Sequence, residues 1–148
     1  MDCIPNKIEI KFKIDLDKTI EHELVMTRNF KVLADIEGEL AILINGRIFF
    51  YDQYILLMEL GVALTKWLRT VKLGMVENFQ YHTMDHDDGP ILGFIQDQDG
   101  WRIISIWQKF DVGIKFDLHT LLNEVDKFLE NIKNQLMNRY NIDMDIYI

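Results

Sequence analysis

The sequence predicts an α+β fold: a single domain built on an antiparallel β-sheet of about six to seven strands, with two long helices packed on one side. Three observations carry this expectation. Residues Lys7 to Asp15 alternate strictly between apolar and charged side chains, which is the period of a half-buried strand. Two stretches, from about Gln53 to Lys72 and from about Leu118 to Tyr140, repeat apolar residues every three or four positions, as amphipathic helices do. Asn45-Gly46 before the first of them and Asp97-Gln98-Asp99-Gly100 between the two punctuate short apolar runs as hairpin turns would. Strands, a helix, more strands and a second helix imply an antiparallel sheet with its helices gathered on one face.

In chain order, the first strand points Ile8, Ile10, Phe12 and Ile14 to one side and Lys7, Glu9, Lys11, Lys13 and Asp15 to the other. From Asp17 to Met26, Ile20, Leu24 and Val25 fit either a short helical turn or an extended connection. Residues Arg28 to Tyr51 read as a three-stranded meander: a run through Phe30, Val32, Ala34 and Ile36, a turn at Glu37-Gly38, Leu40 to Ile44, then Asn45-Gly46 and a return through Arg47 to Tyr51. Asp52 is placed to cap the first long helix, whose inward stripe is Leu57, Leu60, Leu64, Trp67, Leu68 and Val71, with Thr65, Lys66, Arg69, Thr70 and Lys72 opposite and Gly74 just past its end. Strands are then expected at Val76 to Met84, Ile91 to Gln96 and Trp101 to Phe110. Asp117 caps the closing helix, which buries Leu118, Leu121, Leu122, Val125, Phe128, Leu129, Ile132 and Leu136. The tail, 141–148, alternates weakly and reads as an added edge strand or a mobile end.

The 148 residues match the length of one domain, and at that size roughly two-thirds of the unfolded surface can be buried. The lone Cys3 excludes an internal disulfide and supplies no metal-ligand spacing, which fits a reducing compartment and a cytoplasmic protein. The N-terminus lacks the pattern of a secretory signal, and the apolar run near Tyr54 to Leu64 is interrupted by Glu59 and followed by Lys66 and Arg69. A net charge of -8 argues against nucleic-acid binding and against anionic membranes, because both require clustered Lys and Arg. From Leu73 to Trp101 there is no Lys or Arg at all, while Glu77, Asp85, Asp87, Asp88, Asp97 and Asp99 all fall there.

Candidate chemistry is sparse. The run His82-Thr83-Met84-Asp85-His86-Asp87-Asp88 has metal-binding side chains, but its flanks read as strand and loop, so the four-residue spacing of His82 and His86 does not put both on one helix face. No metal or cofactor is therefore assigned. Ser105, the one serine, lies in an apolar strand without a nucleophile elbow, and the paired Asp97 and Asp99 are explained by turn chemistry. No catalytic residue is assigned. Trp101, Ile103, Ser105 and Trp107 share one strand face as core residues, or as the wall of a ligand pocket.

Two segments, Gly89-Pro90-Ile91-Leu92-Gly93-Phe94-Ile95 and Asp99-Gly100-Trp101-Arg102-Ile103-Ile104-Ser105-Ile106-Trp107-Gln108, together with the helical run Glu59 to Leu68, resemble a family of small uncharacterised proteins of Gram-positive bacteria. In size, acidity and layout the chain is also similar to the immunity proteins of bacterial toxin systems. That resemblance implies binding to a protein partner such as a basic toxin, and acidic loops suit such a partner because they steer and accept basic side chains. The expected partner-binding residues are Asp85, His86, Asp87, Asp88, Asp97 and Asp99. The alternatives are a small-ligand or structural domain, and a metal-dependent enzyme using His82, Asp85 and His86.

Overall fold

The computed structural model describes residues 6–16, 19–82, 89–110 and 113–148. It is an α+β structure with two three-stranded antiparallel sheets rather than the one larger sheet expected from the sequence. The first sheet has the order β1 (Ile8–Ile14), β2 (Glu37–Ile44), β3 (Arg47–Leu56). Between β1 and β2 lie two short helices, α1 (His22–Met26) and α2 (Val32–Asp35). The long helix α3 (Leu57–Lys72) follows β3 directly. The second sheet comprises β4 (Phe79–Tyr81), β5 (Leu92–Asp97) and β6 (Gly100–Ile104), and α4 (Leu118–Tyr140) precedes a terminal 3₁₀ helix, Met144–Tyr147.

The alternation in β1 does what its period demands. Ile8, Ile10 and Ile14 are buried, Lys11 and Lys13 are exposed, and Phe12 packs edge-on against Phe128 of α4. Asn45 and Gly46 both take positive φ, which closes the β2–β3 hairpin as the type I′ signal requires.

The expected strand through Phe30 to Ile36 is instead a turn and the helix α2. Arg28 adopts a positive φ, the Asn29 amide closes back on the Leu24 carbonyl, and the Asn29 side chain accepts from the Lys31 amide. Val32 and Ile36, four apart, are buried while Phe30 is 64% exposed, so burial follows the helical period and not the strand period. Glu37-Gly38 is likewise not a turn but the start of β2.

Asp52 does not cap α3. Its carboxylate accepts from the Tyr54 amide, β3 continues to Leu56, and the helix begins at Leu57. Gly74 follows the helix with positive φ, as expected. Thr65, expected on the polar face, is buried and donates its hydroxyl to the Gly61 carbonyl.

The strands that follow α3 do not extend the first sheet. The edge of β3 is met at Phe49 by the segment after β6, whose Lys109 amide donates to the Phe49 carbonyl, while Trp107 stacks near Phe50 and Phe110 meets Phe49. The second sheet instead contacts α3, where Trp67 packs against Phe79, Phe94 and Trp101 and donates its indole N–H to the Glu77 carbonyl. Helix α3 therefore touches both sheets, and α4 closes against β1, β6 and α3.

Asp117 caps α4 as expected, accepting from the Thr120 amide at 2.7 Å. The tail is a 3₁₀ helix rather than an edge strand: Ile142, Met144 and Tyr147 are buried, and Met144 lies over Gly61 of α3. Among the described residues no helix is long and apolar enough to cross a membrane.

Candidate functional site

Of the expected partner-binding residues, Asp85, His86, Asp87 and Asp88 lie outside the described residues. Asp97 and Asp99 stand at the β5–β6 turn, where Gly100 supplies a positive φ. The Asp97 carboxylate accepts from the Gln98 amide at 2.7 Å and lies 3.5 Å from Lys115 Nζ and 4.0 Å from Arg102 Nε. Asp99 lies 3.7 Å from the same Lys115. The Gln98 amide first, and then the Lys115 ammonium, hold the Asp97 carboxyl below the usual carboxylate range. This turn is thus acidic in sequence but balanced in space, because Arg102 of β6 is joined there by Lys115 from the segment before α4, where Asn6 donates to the Lys115 carbonyl.

The remaining candidates separate cleanly. His82 is exposed at the end of β4, with a ring nitrogen 3.4 Å from Gln80 Oε1. Its proposed companions Asp85 and His86 are outside the described residues, and among the described residues no group of three His, Cys, Asp or Glu is placed to hold a metal ion. Ser105 is buried just after β6 and turns the chain: its Oγ accepts from the Trp107 amide, and its own amide donates to Gln108 Oε1. Trp101 and Ile103 are buried against the core, and Trp107 is half-buried. Tyr81 is buried and donates to Glu59 Oε1 at 2.9 Å; burial first, then the adjacent carboxylate, pushes its phenol far above the ordinary range. That pair ties β4 to α3.

Sequence reasoning missed a cleft of about 420 Å³ at one end of the first sheet. Lys13, Asp15 and Leu16 contribute from the end of β1, Glu39 from β2, and Gln53 and Tyr54 from β3. The strands are held in register there by the Asp15 amide, which donates to the Glu37 carbonyl. The β2–β3 register shifts between Gly38 and Leu40, where Glu39 alone faces Gln53 and Tyr54, so the extra residue is on β3 and re-aims the side chains of that strand. Leu16 is 61% exposed and Tyr54 70% exposed. Lys13 pairs across the strands with Glu39 in register, yet it makes no ion pair within 4.0 Å among the described residues. The cleft draws on three strands, and its signal in sequence was split among residues 13–16, 38–39 and 53–54.

A second groove of about 420 Å³ runs between α3 and α4. Leu68 and Leu129 form part of its lining, and it carries Arg69, Lys72, Asp126 and Lys133, of which Lys72 pairs with Asp126 at 3.4 Å.

A family model described as a domain of unknown function (DUF7878) matches residues 10–138. No curated protein and no solved structure matches the chain.

Proposed function

The chain belongs to the DUF7878 family, a domain of unknown function, and on that premise we propose that it is a non-catalytic acidic binding protein: an immunity-type inhibitor that engages a basic protein toxin in the cytoplasm. The observation that carries this reading is the carboxylate surplus, 24 Asp and Glu against 16 Lys and Arg. Much of it is not spent internally. Glu21, Glu23, Glu77 and Glu130 are exposed, and neither they nor Asp35, Glu37 and Glu39 make an ion pair among the described residues. Unpaired surface carboxylates leave a long-range field that accelerates encounter with a cationic partner and weakens as salt rises.

The test is capture from the native cell on the immobilised full chain at low salt, followed by kinetics with the purified partner. A basic partner whose activity is blocked, and whose association rate falls with ionic strength, is the expected result. Reversing Asp87 and Asp88 to Lys is expected to slow association more than reversing Asp97 and Asp99, which Arg102 and Lys115 already balance. An acidic partner, or binding indifferent to salt, overturns the proposal.

A further inference from the structure

We infer that the outer edge of β4 pairs with β4 of a second copy of this chain, joining the two second sheets into one across a two-fold axis at Gln80. This interface is separate from the binding of a toxin and does not require it.

The backbone directs Gln80 outward. The Trp101 amide and carbonyl both bond to Phe116, so Trp101 points away from β5, and Gln96, opposite it, points away from β6. The Gln96 amide accordingly reaches the other side, where it donates to Asn78 Oδ1 at 2.7 Å. Alternation along β5 turns Phe94 and Leu92 the same way, toward Phe79 and Tyr81, and the Tyr81 carbonyl accepts from the Ile91 amide. The main-chain N–H and C=O of Gln80, between Phe79 and Tyr81, therefore face away from the sheet. Among the described residues no hydrogen bond reaches them, and Asn78, Gln80 and His82 are all exposed.

The other three sheet edges are each met by another part of the chain. Glu124 accepts from the Ile10 amide of β1, the Lys109 amide donates to Phe49 of β3, and Phe116 bridges to Trp101 of β6. An unpaired edge is a template for another strand, and charged side chains are a usual means of blunting it. No Asp, Glu, Lys or Arg occurs from Asn78 to His82, whereas each of the other strands carries at least one.

The same neutrality selects a second copy as the occupant. Antiparallel pairing about Gln80 sets each residue opposite itself or its symmetry mate, so a charge on this row would meet its like. At the axis the outward N–H and C=O of the two Gln80 residues form a reciprocal pair, and their side-chain carboxamides, each both donor and acceptor, suit one another. His82 Nε2 lies 3.4 Å from Gln80 Oε1, which puts both side chains on one outer face. Met75 and Val76, 57% and 43% exposed, stand immediately before the strand and add apolar area beside that edge. The chain carries a net charge of -8, so the long-range repulsion between copies falls as salt rises.

The experiment is sedimentation velocity of the full chain over a concentration series at low and high salt, with amide hydrogen exchange at the same concentrations. A monomer–dimer equilibrium that tightens with salt, with the Gln80 amide protected only where the dimer forms, supports the inference. Gln80→Lys and Gln80→Glu are each expected to weaken dimerisation by about tenfold or more, and their equimolar mixture to restore it as a heterodimer, which misfolded variants could not do. A parent that stays monomeric, a Gln80→Lys variant that dimerises as the parent does, a mixture that fails to associate, or a Gln80 amide already protected in the monomer overturns it. The salt dependence is opposite in sign to that of a basic partner, so one salt series tells the two associations apart.

Discussion

At the scale of the residue, Gly38 shows how one missing atom sets a strand pairing. A Cβ built there would collide with the Lys13 carbonyl oxygen and approach Leu57 Cδ1 and the Ile14 Cα to 2.9 Å. Two of these neighbours are backbone atoms of β1, so they cannot yield as a flexible side chain would. Gly38→Ala is expected to destabilise the protein by about 3 kcal/mol or more, beyond ordinary overpacking, measured as a lowered urea midpoint. A parent-like midpoint would mean that β1 and β2 approach less closely than described. The sequence hid this role: Glu37-Gly38 reads as a turn because glycine usually marks one, and only the neighbouring strand reveals that the position needs an absent side chain rather than an unusual φ.

At the scale of the element, α4 was legible to its ends because all of its determinants are local. Asp117 accepts from the Thr120 amide, Asn141 takes a left-handed φ, and the Ile142 amide returns to the Leu136 carbonyl. The Thr120 bond holds the Asp117 carboxyl below its ordinary value, so the cap is fully formed above the unfolded-state value near pH ~4 and is lost as pH falls through the folded one. Asp117→Ala is expected to cost about 1 kcal/mol at neutral pH and to flatten the acid limb of a melting-temperature profile; Asp117→Asn, still an acceptor, keeps most of the neutral stability and loses only the pH dependence. Helix α4 also guards an edge. Glu124 Oε1 accepts from the Ile10 amide at 2.8 Å, giving a free strand edge a charged partner in place of water or another chain. Glu124→Ala is expected to speed hydrogen exchange at Ile10 by about tenfold or more while leaving Glu9 and Lys11 less affected, because a charge-assisted bond is worth roughly 1.5–3 kcal/mol. Uniform acceleration along β1 would point instead to displacement of the whole strand.

At the scale of the whole molecule, Trp67 joins the parts. Its ring meets Phe79 and Phe94 at 5.8 and 5.4 Å between centroids and Trp101 at 5.9 Å, and these neighbours belong to all three strands of the second sheet. Trp67→Ala is expected to cost about 3–5 kcal/mol and to release the second sheet first, seen as loss of near-ultraviolet circular dichroism before loss of helical signal; a single coincident transition would show that the two sheets unfold together. By itself the sequence determined what depends on near neighbours: the period of β1, the Asn45-Gly46 hairpin, the apolar stripes of both long helices, and the Asp117 cap. These follow from steric and hydrogen-bonding preferences acting over a few residues. Tertiary structure alone decided that β3 runs on to Leu56, that Arg102 and Lys115 balance Asp97 and Asp99, and that the strands form two sheets. Each of these depends on a partner distant in the chain, as when the Lys109 amide meets the edge of β3 at Phe49 or when residues from three strands gather around one cleft. Strand pairing and surface charge are sums over such encounters, and a local pattern does not specify which segment arrives.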